Sequence, residues 1–183
     1  MLSPSAQSRT ITQNFNQRQF KHRPGTLQSI PTKFKKMETE NKTTITVENT
    51  VKAPLEKVWK FWTEPEHIKK WNNASEDWHT PYAENDLQVG GKFISRMEAK
   101  DGSFGFDFGG VYDNVRVNEY IEYTLGDGRK VKISFSGEGD ETKVVETFEP
   151  ENTNSLEMQR GGWQAILDNF KKYTETQSGQ ISA

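Results

Sequence analysis

Hydrophobic and polar residues alternate along residues 44–51, where the sequence reads Thr-Ile-Thr-Val-Glu-Asn-Thr-Val. A period of two with many β-branched residues predicts a strand. Ala53-Pro54 ends this strand and opens a helix, because proline fits the first helical turn. The apolar residues that follow fall at helical spacing and share one face: Leu55, Val58, Trp59 and Trp62.

A second short helix is expected directly after the first. Residues 63–66, Thr-Glu-Pro-Glu, have the spacing of a capping box with an embedded proline. Ile68 and Trp71 follow as the apolar residues of this helix. Two short helices therefore follow the first strand.

Glycine turns punctuate the chain from residue 90 to residue 149. Between these turns lie segments long enough for strands: 92–100, 104–117, 120–125, 129–137 and 141–149. Their short connections predict antiparallel hairpins. Gly109-Gly110 predicts a bend or bulge within the second of these segments.

A long helix is predicted after Pro150. Residues 154–157, Asn-Ser-Leu-Glu, have the spacing of an N-cap and its glutamate partner. About twenty helical residues span about 30 Å, the width of a small domain. The predicted fold class is α+β: a strand, two short helices, five or six antiparallel strands in a curved sheet, and this C-terminal helix. Only the last helix is long enough to cover the apolar face of the sheet.

The first 36 residues differ from the rest of the chain in charge and pattern. They contain seven of the 24 basic residues and no acid, so the remaining 17 basic residues face 26 acidic ones. Their polar, proline-broken sequence predicts a disordered leader. A transit peptide, a flexible tail and an over-long gene model with Met37 as the true start stay open, and we favour the last. We expect a linker over 37–42, one domain over 43–176 and a disordered tail over 177–183.

Composition excludes several classes of site. The chain has no cysteine, so disulfides and thiolate chemistry are excluded, and a cytoplasmic location is expected. No apolar run is long enough to span a membrane, and no secretory signal follows Met1. The acidic body argues against nucleic acid as a partner. Neither His67 nor His79 has neighbours at ligand spacing, so no metal site and no cofactor are expected.

Several runs together resemble a known superfamily. They are residues 51–59, 62–66, Trp71, 90–93, 106–112 and 158–170. On these runs, the chain from about Thr43 to Thr176 resembles the START-like, polyketide-cyclase (SRPBCC, helix-grip) superfamily, and within it bacterial relatives of the C-terminal domain of the heat-shock chaperone ATPase activator. The resemblance implies a cavity between the sheet and the last helix. It does not imply one function, because similar proteins include carriers, cyclases and chaperone regulators.

Strand alternation predicts which residues face the interior. The predicted interior sets are Phe93, Ser95 and Met97; Phe104, Phe106, Phe108 and Tyr112; Ile121, Tyr123 and Leu125; and Val131, Ile133 and Phe135. A filled hydrophobic core, without any ligand, accounts for the inward orientation of any one of these residues. In the last helix, Trp163, Ile166, Leu167 and Phe170 form the inward stripe, with Trp163 expected in the central core. Gly161-Gly162 weakens this helix, so either a close strand or a ligand is expected beside it.

Glu146 is the most informative charged residue. The period of two places it on the side of Val144 and Phe148. If that side is interior, burial raises the pKa of its carboxyl unless a cation meets it. The candidate cations are Arg96, Arg160 and His79. The opposite orientation, with Glu146 in solvent, stays open.

These observations predict a protein that binds or carries a small apolar or amphipathic molecule. The predicted ligand-binding residues are Phe93, Met97, Phe106, Phe108, Tyr123, Glu146, Trp163 and Ile166. No residue is assigned a catalytic role. A cyclase- or hydrolase-like enzyme that uses Glu146 or His79 in the same cavity is one alternative. A chaperone ATPase regulator that acts on a protein partner through its surface is the other.

Overall fold

A computed structural model of the protein describes residues 42–178. The expectations for the leader, for most of the linker and for the end of the tail fall on residues outside this range. The described part is an α+β fold in which a curved antiparallel sheet is combined with three helices. In chain order the elements are β1 (Ile45–Val51), α1 (Leu55–Thr63), α2 (Pro65–Trp71), β2 (Trp78–Asn85), β3 (Lys92–Ala99), β4 (Gly105–Arg116), β5 (Tyr120–Leu125), β6 (Lys130–Glu138), β7 (Glu141–Phe148) and α3 (Leu156–Ser178).

The described sheet has seven strands, not five or six, in the order β1-β7-β6-β5-β4-β3-β2. The strand that the pattern did not delimit is β2. It contains Pro81, and its pairing with β3 shifts register between His79 and Tyr82. Proline disfavours a strand assignment, yet an edge strand tolerates it, because its outer amides need no strand partner.

Alternation in the central strands builds the core. The inward residues of β5, β6 and β7 are buried, while their neighbours face solvent. The predicted interior faces of β5 and β6 are therefore confirmed. Leu167 and Phe170 of α3 and Val58 of α1 cover this surface, and all three are almost fully buried. Burial of these apolar side chains holds the helices against the sheet.

The irregularity of β4 lies elsewhere than predicted. The register with β5 shifts between Tyr112 and Asn114, not at Gly109-Gly110. The two glycines instead allow neighbouring backbones to approach closely. A Cβ atom at Gly109 would lie 2.7 Å from the Phe93 carbonyl oxygen, and one at Gly110 would lie 2.5 Å from that of Thr124.

Both predicted helix caps were wrong in detail. The Thr63 hydroxyl donates to the Trp59 carbonyl at 2.8 Å, so Thr63 ends α1, and Glu64 precedes α2 without a side-chain cap. At α3 the N-cap is Ser155 and not Asn154: the Ser155 hydroxyl oxygen accepts from the Met158 amide at 3.1 Å. The pattern marked both helix starts but misplaced each cap by one residue.

Replacing Ser155 with alanine should lower the free energy of unfolding by about 1 kcal/mol, because it leaves an amide of the first turn without a partner. Urea denaturation of the two proteins measures this difference. The matched control is Asn152→Ala, at an exposed position in the preceding loop. Equal losses in the two variants would contradict a capping role for Ser155.

Candidate functional site

A cavity of about 420 Å³ lies between the inner face of the sheet and α3, with α2 at one side. All eight residues predicted to bind a ligand line it: Phe93, Met97, Phe106, Phe108, Tyr123, Glu146, Trp163 and Ile166. Trp62, Ile68, Trp71 and Tyr112 extend the aromatic and aliphatic wall. The structure therefore brings the predicted set together around one space.

Trp163 forms one wall of this cavity rather than the centre of the core. It is only half-buried, unlike Leu167 and Phe170 in the same helix. Its indole stacks on Phe148 with ring centroids 3.9 Å apart and meets Phe108 edge-on at 5.9 Å. The expectation that Trp163 is a central core residue was therefore wrong, because the cavity occupies the space beside it.

Phe104 and Phe106 do not face a closed interior. They are 61% and 42% exposed, which contradicts the prediction that both are interior. With the half-buried Trp78 they form an aromatic cluster whose ring centroids lie 6.0–6.1 Å apart. Because Phe106 also lines the cavity, this cluster marks its rim.

The Glu146 side chain points inward, which decides between the two orientations that the pattern of β7 left open. It is 6% exposed, and its partners across β1 and β6 are the buried residues Val47 and Ile133. Burial in this apolar setting raises the pKa of the Glu146 carboxyl to about 8. The uncharged acid therefore predominates at neutral pH.

None of the three predicted cations pairs with Glu146. Arg96 donates to Glu98 at 2.7 Å and to Asp107 at 3.2 Å. The other two are also occupied elsewhere: Arg160 donates to the Thr46 carbonyl at 2.6 Å, and His79 Nε2 lies 3.7 Å from Glu98. Among residues 42–178, the Glu146 carboxyl has no hydrogen-bond or salt-bridge partner.

Tyr123 is a second buried polar group at the cavity. Burial and then the nearby charge of Glu146 raise the pKa of its phenol well above the ordinary value. Its hydroxyl makes no hydrogen bond within the described residues, whereas the Tyr112 hydroxyl donates to Asn85 at 2.7 Å. The sequence predicted Tyr123 as lining but gave no sign that its hydroxyl lacks a partner.

Sequence reasoning missed several polar residues of the lining, among them Arg129 and Gln159. Arg129 donates to Asp127 at 2.7 Å. The Gln159 amide donates to the carbonyls of Glu151 and Asn154 and accepts from the Glu151 amide, which fixes the loop before α3. No period or motif in the sequence distinguishes these two side chains from exposed ones.

The glycine pair in α3 does not serve close packing. A Cβ atom at Gly161 or Gly162 would meet nothing within 4 Å. The expectation of a close strand at this point was therefore wrong. Neither glycine lines the cavity, so the pair is not explained by a ligand there.

No group of three or more histidine, aspartate or glutamate residues within 42–178 is placed to hold a metal ion. No helix in that range is both long and apolar enough to cross a membrane.

Comparisons with known proteins find a matching family model and several similar structures. The family model described as "Activator of Hsp90 ATPase homolog 1-like protein" matches residues 52–175. The solution structure of an AHSA1-like protein from Aeromonas hydrophila is 41% identical, covers 77% of this chain and 98% of its own, and superposes with a TM-score of 0.71. No protein with curated annotation matches the chain.

Two further structures extend the comparison. A protein from Cytophaga hutchinsonii is 58% identical, with coverage of 76% of this chain and 97% of its own and a TM-score of 0.64. A protein from Rhodobacter sphaeroides is only 11% identical, with coverage of 76% and 94% and a TM-score of 0.65. This last likeness shows the fold alone.

Proposed function

Since the chain belongs to the Activator of Hsp90 ATPase homolog 1-like family, within the START-like superfamily, we propose that it binds or carries a small apolar or amphipathic molecule. The observation that carries this proposal is the cavity of about 420 Å³ with its aromatic and aliphatic lining. Ligand pockets of roughly 300–1,000 Å³ with a mainly apolar lining and a few polar groups are typical of small-molecule sites. Binding is driven by removal of apolar surface from water.

An enzyme that uses the same cavity is the second candidate, and one observation favours it. The raised pKa of Glu146 suits a general acid near neutral pH. Such chemistry also needs a base or nucleophile within reach. His79, the other residue predicted as a general acid or base, does not line the cavity and lies beside Glu98 instead. Carriage therefore remains the better-supported proposal.

Regulation of a chaperone ATPase through the surface is the third candidate. The cluster of Trp78, Phe104 and Phe106 favours it, because its two phenylalanines are exposed and exposed apolar patches commonly mark protein contacts. An open cavity argues for a small ligand first, since a surface-acting regulator needs no internal space. This alternative would be favoured by a variant of the chain that no longer binds the small molecule but still binds the partner protein.

Titration with the apolar dye Nile red tests the proposal. We expect one dye per chain, with a rise in fluorescence as the dye leaves water. Ser95 is buried and small and lines the cavity, so Ser95→Phe should fill the space and weaken binding roughly tenfold or more. The matched control is Val89→Phe, at an exposed position outside the lining.

Two outcomes would contradict carriage in the cavity. One is the absence of saturable dye binding to the folded protein. The other is equal binding by Ser95→Phe, Val89→Phe and the parent chain, which would place the dye elsewhere. Thermal melts of both variants check that each one is folded before its affinity is compared.

A further inference from the structure

Three buried polar side chains of the cavity lining have no hydrogen-bond partner within the described part of the chain: Glu146 and Tyr123, each 6% exposed, and Ser95, which is 5% exposed. Buried polar groups are ordinarily hydrogen-bonded, and leaving one unpaired costs about 1–3 kcal/mol. All three line the cavity, so a ligand that displaces water from it must replace the hydrogen bonds of these groups. The Glu146 carboxyl and the Tyr123 hydroxyl belong to the neighbouring strands β7 and β5 on either side of β6.

The sheet register places these groups on the same wall. Glu146 of β7 pairs across β6 with Ile133, which pairs with Ile121 of β5, and Tyr123 is the next inward residue of β5. Val131 and Ile133 lie between them on β6 and are fully buried. The part of the cavity wall formed by β5, β6 and β7 is thus apolar except at these two side chains.

The charge states of Glu146 and Tyr123 restrict the kind of ligand group that can pair with them. Glu146 stays uncharged below about pH 8, so its carboxyl O–H can donate a hydrogen bond, as carboxylic acids in apolar sites do. The Tyr123 phenol is a second O–H donor and stays uncharged to still higher pH. Two neutral donors on an apolar wall match a hydrogen-bond acceptor without charge.

The other ionisable groups of the lining are already engaged. Arg129 pairs with Asp127, the Glu151 carboxylate accepts from amides of its own loop, Glu84 bonds Tyr82, and Tyr112 bonds Asn85. Of the carboxyl groups in the lining, Glu84 and Glu151 are thus engaged and Glu146 is uncharged below about pH 8, so none is free to pair with an ammonium group. A ligand amine is therefore a poorer match than a ligand carbonyl.

We infer that the ligand of this cavity is a neutral, mainly apolar molecule whose polar end carries a carbonyl oxygen, with Glu146 as the first hydrogen-bond donor to it and Tyr123 as the second. This inference rests on the proposed function and specifies its ligand class. A ketone, an ester or an amide carbonyl shares the required chemistry.

Three bicyclic probes of nearly equal size test the inference: tetralone, tetralin and aminotetralin. They differ only in whether one ring carbon is a carbonyl, a methylene or an amine-bearing carbon. For the parent chain, displacement of Nile red should give an affinity for tetralone about tenfold higher than for tetralin, the worth of one good hydrogen bond. The affinity for tetralone should fall as pH rises through about 8, because the carboxylate can no longer donate.

Variants at Glu146 and Tyr123 test the two hydrogen bonds separately. Glu146→Leu should bring the ratio of tetralone to tetralin affinity close to one. Glu146→Gln keeps an N–H donor at the same place, so it should keep a preference for tetralone but lose the dependence on pH. Tyr123→Phe should reduce the ratio partly.

The outcomes separate this inference from the proposed function. Equal affinity for tetralone and tetralin in the parent chain would overturn the carbonyl inference and leave apolar carriage standing. Tightest binding of aminotetralin, rising through about pH 8, would overturn it in favour of a cationic ligand. If none of the probes binds and Nile red fails as well, the proposed function itself is wrong.

Discussion

Replacing Glu146 with glutamine should stabilise the protein by roughly 3–5 kcal/mol above about pH 8 and change its stability little below about pH 4.5. In the folded protein the carboxyl is uncharged up to about pH 8, whereas in the unfolded chain it ionises near the ordinary value of 4.5. Between these values the unfolded chain has released a proton that the folded chain keeps. The free energy of unfolding therefore falls as pH rises through this window, and glutamine abolishes that fall.

Urea denaturation at a series of pH values measures both profiles. Glu141→Gln is the matched control, because Glu141 lies on the same strand but is exposed. Its profile should run parallel to that of the parent chain. If the Glu146→Gln profile also runs parallel, the Glu146 carboxyl is not desolvated and does not lie on an apolar wall of the cavity.

Replacing Phe170 with alanine should lower the free energy of unfolding by about 3–5 kcal/mol, which is typical of a buried aromatic side chain. Phe170 is fully buried and packs edge-on against Trp62 and Trp71, with ring centroids 4.8 Å and 4.9 Å apart. Removing its ring leaves a hole that these two indoles cannot fill without moving.

Trp163 supplies the comparison, two helical turns earlier in α3. Because Trp163 is half-buried at the cavity wall, Trp163→Ala should cost roughly half as much in the free energy of unfolding. It should, however, weaken Nile red binding, since the indole is part of the lining. Chemical denaturation and dye titration of both variants make the comparison. A larger loss of unfolding free energy for Trp163→Ala than for Phe170→Ala would indicate that Trp163 belongs to the core, and it would contradict the open cavity.

A strand or helix was predictable where the period of its apolar residues matches the burial of its side chains in the fold. β6 alternates without interruption, and every inward residue from Val131 to Phe135 is buried. β2 was missed because Pro81 and the register shift beside it break the period. The interior assignment of Phe104 and Phe106 failed because alternation gives the face of a residue but not how far the covering helix extends.

The residues of the site were predictable as a set, but their pairing was not. The eight predicted residues line one cavity because each follows from the period of its own strand or helix. Whether Glu146 meets a cation depends on competition in space, and Arg96 bonds Glu98 and Asp107 while Arg160 bonds a backbone carbonyl. The same limit applies to Tyr123, whose lack of a partner is a property of the assembled wall.

Native mass spectrometry of the full chain purified from its own cells, compared with its denatured mass, is the direct test of carriage in the cavity. We expect a folded species heavier than the chain by one small molecule, which is released on unfolding and identified by its own mass. Ser95→Phe, prepared in the same way, should carry much less of it. Identical native and denatured masses, together with no saturable uptake of Nile red, would contradict carriage in the cavity.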